Sequence, residues 1–443
     1  MTEKFDFSAA VKKPLIGVAI AGILFLIIGF AMGIMGGGHH DAHADHAPKV
    51  EQTAGHDAHG AHADASHGDE HAAGGHHEEF SWTKRVKASL WHNAVFFLGI
   101  AAAGILFFAV QYAAQAGWSA PVQRIPLAMG NWLPIGAILL VIISVVANHD
   151  LFHWTHEYLY VKGTPEYDPI LDGKKVFLNF PFFVVRMVLY VALWIVMFFQ
   201  LKKNALAEDA NGGDQYWFKG RKLSAIYIII FAVTGVTASW DWLMSIDPHW
   251  FSTLYGWYVI ASWWVTGLAF ICMSVVLLKE NGYLKEVNSN HIHDLGKYVF
   301  AFSVFWCYLW FSQFLLIYYA NIPEETIYYV QRLQSGPYKP LFFINIAINF
   351  IFPFFFLMTR DAKRHGLFLK IACPAVIAGH WLDFYLMVAP GILKGNGGLT
   401  FIDLGFFLVF GVAFIWVFLT NLAKHPLVAP NHPMMEEAKH HHI

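Results

Sequence analysis

The chain has 443 residues, 57% apolar and only 14% charged, against about 25% charged in a soluble domain, so a soluble globular protein is excluded. A net charge of −2 excludes an electrostatic nucleic-acid binder. Three scattered cysteines, Cys272, Cys307 and Cys373, with no CxxC or CxxCH, leave no ligand set for an iron–sulfur cluster or a covalently attached haem.

Ten apolar runs reach the roughly 20 residues that a spanning helix needs. In chain order they are 14–35, 88–114, 126–147, 176–199, 223–245, 254–278, 295–320, 338–358, 367–389 and 401–423. The fold class expected is an all-α integral membrane protein of about ten transmembrane helices. The first run is too long for a signal peptide, and a Gly run ending in His follows it where a cleavage site would stand. Residues 36–87 form a low-complexity outer loop with eleven His between His39 and His77. Such a segment cannot bury a core and is expected to be disordered; its irregular His spacing specifies no closed metal site. Lys and Arg favour cytoplasmic chain ends, the densest cluster being Lys202, Lys203, Lys219, Arg221 and Lys222, whereas Lys84, Arg85 and Lys87 run against that orientation.

Three local patterns recur in the same order. Ala147-Asn148 and Ala320-Asn321 end helices three and seven. Phe180-Pro181-Phe182-Phe183 and Phe352-Pro353-Phe354-Phe355 lie in helices four and eight. Asp241 and Asp383, in helices five and nine, each precede a proline by seven residues, Pro248 and Pro390. The expected organisation is a parallel repeat of two four-helix bundles, 88–245 and 254–389. The segments 1–35 and 390–443 flank them and carry the first and tenth helices.

Charged side chains within the bilayer are costly and usually face a partner or a hydrated cavity. Asp241 and Asp383 sit toward the outer ends of their helices, about a turn from the end, which is the wrong place for a cap. His380, three residues before Asp383, shares its helix face and forms a candidate relay pair with it. Arg186 falls near the centre of helix four, five residues after Pro181; a structural ion pair with an acidic group such as Asp241 and a functional role are both open to it, and the two do not exclude each other. His149, His153, His156 and Glu157 follow helix three; the His spacing places all three on one helical face. That face suits metal ligation, a proton or quinone contact, or an interfacial helix, to which Trp154, Tyr158 and Tyr160 point. Bis-His haem b lacks paired deep histidines, since only His380 is clearly deep.

The stretches Ser239-Trp240-Asp241-Trp242-Leu243-Met244-Ser245-Ile246-Asp247-Pro248-His249-Trp250-Phe251-Ser252-Thr253, Tyr255-Gly256-Trp257-Tyr258 and Tyr318-Tyr319-Ala320-Asn321-Ile322-Pro323-Glu324-Glu325 resemble the ActF subunits of bacterial alternative complex III. These are quinol:cytochrome c or other acceptor oxidoreductases, and ActF is itself similar to the NrfD/polysulfide-reductase membrane subunits. The resemblance covers helices 2–10. It implies two four-helix bundles and no cofactor bound by this chain, with haem c and iron–sulfur clusters in partner subunits and quinol or quinone as a contact. The implied partners are an ActC-like paralogue, an iron–sulfur subunit, multihaem cytochrome c subunits and small membrane subunits, in a bacterial cytoplasmic (inner) membrane. The expectation is a proton-conducting subunit, not catalytic alone. Its candidate residues are Asp241, Asp383, His380, Arg186, His149, His153 and Glu157, with Asp247 and His249 from the first stretch. A secondary transporter and a purely structural scaffold are the competing readings.

Overall fold

The computed structural model describes residues 3–36 and 81–442. Most of the His-rich segment expected at 36–87 lies outside the described residues. Among those residues there is no strand beyond one isolated bridge between Lys4 and Pro426, and ten helices are long and apolar enough to span a membrane. They are α1 (Ala9–Gly36), α2 (Trp82–Ala113), α3 (Arg124–Val146), α4 (Phe180–Asn211), α5 (Asp214–Trp242), α6 (Leu254–Glu280), α7 (Ser289–Ala320), α8 (Lys339–Phe356), α9 (Gly366–Leu393) and α10 (Phe401–Leu422). The expectation of an all-α integral membrane protein is met.

Local chemistry sets the helix ends. The Ser81 hydroxyl accepts the Thr83 N–H at the start of α2, and the side-chain Oδ1 of Asn179 accepts the Phe182 N–H at the start of α4. Asn288 and Thr400 open α7 and α10 with reciprocal capping boxes. α7 stops where Asn321 turns left-handed at φ 50°.

α2, α3, α4 and α5 pack as a ring of neighbours, α2 closing on α5. α6, α7, α8 and α9 form a second ring, closed by α9 on α6. The rings meet along α2, which packs on both α6 and α9, and α1 and α10 pair beside them. α2 and α6 are therefore buried on nearly all sides, whereas α1 leaves most of its apolar surface for lipid. Close approach at the seam needs glycine: a Cβ on Gly99 of α2 would sit 1.8 Å from Nε1 of Trp263 on α6. The N-terminal and C-terminal segments meet, the Leu427 N–H donating to the Glu3 carbonyl at 3.0 Å. That face is the terminal face below, and the opposite one the distal face.

Two details of the expected repeat change. α4 starts at Phe180 and runs to Asn211, so Pro181 is in its first turn, whereas Pro353 stands near the end of α8. The Phe-Pro-Phe-Phe runs thus occupy opposite ends of their helices. Arg186, expected near the centre of helix four, is in the second turn of α4 at the distal face. The apolar run is offset toward the start of the helix because the last turns of α4, from Lys202 onward, are polar and extend beyond it.

Candidate functional site: a polar path to Asp383

The two matching aspartates end in unlike surroundings. Asp241 is in the last turn of α5, and Arg186 reaches it from α4. Nε and Nη2 of Arg186 donate to the two carboxylate oxygens, each at 2.8 Å. Nη1 donates to the Phe177 carbonyl at 3.0 Å, and the guanidinium lies 3.9 Å and 4.3 Å from the ring centroids of Phe177 and Phe182. This is a buried, bidentate, fully partnered pair. The structural alternative read for Arg186 is the observed geometry.

Asp383 is not a turn from its helix end, as expected; Pro390 is accommodated inside α9, which runs ten residues further to Leu393. Its carboxylate is buried and has no Lys or Arg partner among the described residues. Four neutral donors from three other helices surround it. The Tyr258 hydroxyl and Asn345 Nδ2 (2.8 Å) donate to one oxygen, and Ser262 Oγ (2.7 Å) and Trp306 Nε1 (3.1 Å) to the other. Tyr258 and Ser262 are one turn apart on α6, so they address one point. Ser262 lies eight residues inside α6, about 12 Å below its distal end at 1.5 Å per residue.

His380 is adjacent, as its spacing predicted, with Nδ1 3.9 Å from an Asp383 oxygen. Its ring is buried edge-on against Trp306, centroids 5.2 Å apart, and neither ring nitrogen has a hydrogen-bond partner. Beyond Asn345, the chain of amides continues: Asn349 Nδ2 donates to Asn345 Oδ1 at 2.6 Å. Asn349 lies in a π-helical turn, Ala347–Ile351, that interrupts α8. Such turns displace the helix face and recur at functional sites.

A cavity of about 260 Å³ lies at the distal face above this cage. His149, His153, Asp247 and His249 line it together, with Lys84, Trp250, Tyr328, Gln331 and Lys394 among the other walls. Tyr328 and Arg332 come from an amphipathic helix, Pro323–Leu333, laid across the distal end of the second bundle. Arg332 lies 3.5 Å from Asp247, 3.3 Å over the Tyr328 ring, and donates from Nε to the Leu386 carbonyl at 3.0 Å. Burial raises the Asp247 carboxyl above its ordinary value, and the Arg332 charge pulls it part of the way back. Tyr328 also borders a water-sized space of about 20 Å³, whose walls include Arg332, Tyr258, Gln313, Asn345 and Asp383. The polar groups thus run from the distal surface through Asp247, Arg332 and Tyr328 to Asp383.

The histidines after α3 do not share one helix face. Asn148–Leu151 is a short helix, and tight turns at His153–Thr155 and Glu157–Tyr160 replace the rest. The turns still converge His149 and His156, whose ring centroids are 5.0 Å apart. Trp154, expected at the interface, is buried against Phe152 and Phe183. Glu157 is exposed and outside the cavity lining. Among the described residues no group of three or more His, Cys, Asp or Glu is placed to hold a metal ion. His249 contacts Asp168, which caps the helix Pro169–Lys174. Burial pushes the Asp168 carboxyl up, but the Leu171 N–H and His249 outweigh it and hold the group below its usual range.

Sequence reasoning missed Tyr258, Ser262, Trp306, Tyr328, Arg332 and Asn345. Asn345 and Asn349 carried a usable signal, two amides four residues apart in an apolar run. The path also leaves Asp241 and Arg186 aside, in the other bundle. No protein-family model matches the chain, and no curated protein matches it.

Proposed function

We propose that this chain is a membrane subunit of a quinol-oxidising respiratory complex, as its resemblance to the ActF subunits implies, and that it contributes a proton half-channel ending at Asp383. The observation that carries this reading is the polar path from the distal cavity to a buried carboxylate held by neutral donors alone. A carboxylate locked to a guanidinium, as Asp241 is, has its charge compensated and is poorly suited to exchanging protons. Asp383 has exchangeable hydroxyl and amide donors, a water-sized space at its side and a nearby imidazole that accepts from no one. Protons would cross between the distal surface and Asp383 past Asp247 and Tyr328, with His380 as the next station. The distal cavity, with His149, His153 and His249 at its mouth, is also the place for any quinone headgroup contact. On the distribution of Lys and Arg, the distal face is periplasmic and the chain ends are cytoplasmic. Electron carriers, haem c and iron–sulfur clusters, belong in this reading to the partner subunits, and coupling runs through rearrangement at their interface.

The test is the intact complex in sealed vesicles with Asp383→Asn. Protons released per quinol are expected to fall, with a smaller effect from Asp241→Asn where the protein remains folded. Unchanged proton stoichiometry and turnover in Asp383→Asn would sink the half-channel.

A further inference from the structure

Two spaces lie on the way to Asp383: the distal cavity of about 260 Å³ and the water-sized space of about 20 Å³ against the carboxylate. Among the described residues, Tyr328 alone borders both. Its ring is buried and clamped on its two faces. It stacks on Trp250, with centroids 4.0 Å and planes 15° apart, and the Arg332 guanidinium lies 3.3 Å from its centroid. Arg332 is fixed in its turn by a defect in α9. Pro390 has no N–H to give, so the Leu386 carbonyl, four residues before it, lacks its helical donor. Arg332 Nε supplies one at 3.0 Å, while Nη1 donates to the Tyr328 carbonyl at 2.7 Å and the Asp247 carboxylate stands 3.5 Å from Nη2. Leu386 is itself three residues from Asp383, on the same side of α9. Pro248, which matches Pro390 in the first bundle, stands beyond the end of α5 and frees no carbonyl of that helix.

A ring held by an indole on one face and a guanidinium on the other loses both contacts when it turns aside. Were Arg332 to move with it, the Leu386 carbonyl would be left buried without a donor. The wall between the two spaces is therefore kept in place by specific contacts. We propose that Tyr328 is the barrier between the distal cavity and Asp383, and that Arg332, anchored on the carbonyl that Pro390 leaves free, is the positioning residue that keeps it closed. The inference rests on the reading of Asp383 as the end of a half-channel, and it adds the point at which access to that end is controlled.

The test uses the full chain in native membranes, with Cys272, Cys307 and Cys373 replaced by alanine. Single thiols are placed on either side of the ring, Gln331→Cys in the distal cavity and Gln313→Cys in the inner space. Silver ion, a small cation that does not cross lipid, is added from the distal side, and the thiol that remains is labelled after unfolding. The inner thiol is expected to react about tenfold or more slower than the outer one, because reaching it requires a local opening. Tyr328→Ala, which removes the ring, and Arg332→Gln, which removes the anchor, are each expected to bring the inner rate up to the outer one. Tyr328→Phe, which keeps the ring, is expected to leave it slow. Equal rates at the two thiols with Tyr328 in place overturn the barrier, and that comparison stands even where the Ala variant fails to fold. An inner rate that stays slow in Tyr328→Ala overturns it as well. A rise in Tyr328→Ala that is missing in Arg332→Gln removes Arg332 as the positioning residue. Thiol access does not depend on proton release, so a silent Asp383→Asn variant would sink the half-channel and leave the barrier standing.

Discussion

Asp241 and Asp383 occupy matching places in the sequence, and their side chains have opposite chemistry. Asp241 meets a bidentate guanidinium; Asp383 meets two hydroxyls, an indole and an amide. Removing one member of a buried ion pair leaves an uncompensated charge, which costs about 3–5 kcal/mol, whereas replacing both with apolar groups is often neutral. Arg186→Leu alone is therefore expected to lower the thermal unfolding midpoint sharply, and Arg186→Leu/Asp241→Leu to recover most of the loss. A double variant as unstable as the single one would mean that the pair does more than cancel its own charges. Both aspartates were legible in the sequence, since a carboxylate in an apolar run stands out. Their partners were not, because Arg186, Trp306 and Asn345 come from other helices and their approach depends on how the helices rotate against one another.

Among the elements, the C-terminal segment after α10 is tied down by polar contacts that depend on pH. His432 is buried against Tyr112 and Trp217; its Nδ1 accepts the Met434 N–H at 3.2 Å, and Nε2 lies 3.1 Å from the Gln123 amide. Burial, helped by the Arg124 charge, lowers this imidazole from 6.5 to about 4. Between those values the unfolded chain binds more protons than the folded one, so stability falls as pH drops from 6.5 toward 4. The loss amounts to about 3 kcal/mol at the acid end. Limited proteolysis is expected to release the segment beyond Ala423 faster at pH 4.5 than at pH 7.5, and His432→Asn is expected to flatten that dependence. A cleavage rate that ignores pH would remove His432 from the attachment. The helix Pro323–Leu333 belongs to the same scale. A proline and two acids, Pro323, Glu324 and Glu325, stand in its first turn, a start signal that the sequence reading left unused. That it lies over the second bundle and brings Arg332 to Asp247 has no such signal.

At the scale of the molecule, two rings of four helices share α2, α6 and α9 as a common core, with α1 and α10 to one side. If the proposed function holds, the chain works only beside redox partners. Isolation from native membranes in mild detergent is then expected to bring down cytochrome c and iron–sulfur polypeptides with it, with haem absorbance in the eluate. Recovery of the chain alone, across several mild detergents, would favour a transporter.

The number of spans, their order and the even count that puts both chain ends on one face were determined by the sequence alone. Apolar length is a local property: a bilayer requires every spanning residue to satisfy its backbone within its own helix. Asp241, Asp383, His380 and Arg186 were visible for the same reason, as local exceptions to an apolar run. Only the tertiary structure decided which aspartate is locked and which is open. It also brought His149, His153, Asp247 and His249 to one cavity despite the broken helix after α3, and set Lys202 on Asn131 at the terminal face. Each of these depends on side chains far apart in the chain meeting at angles that helix packing sets, and no periodicity within a single helix encodes that meeting.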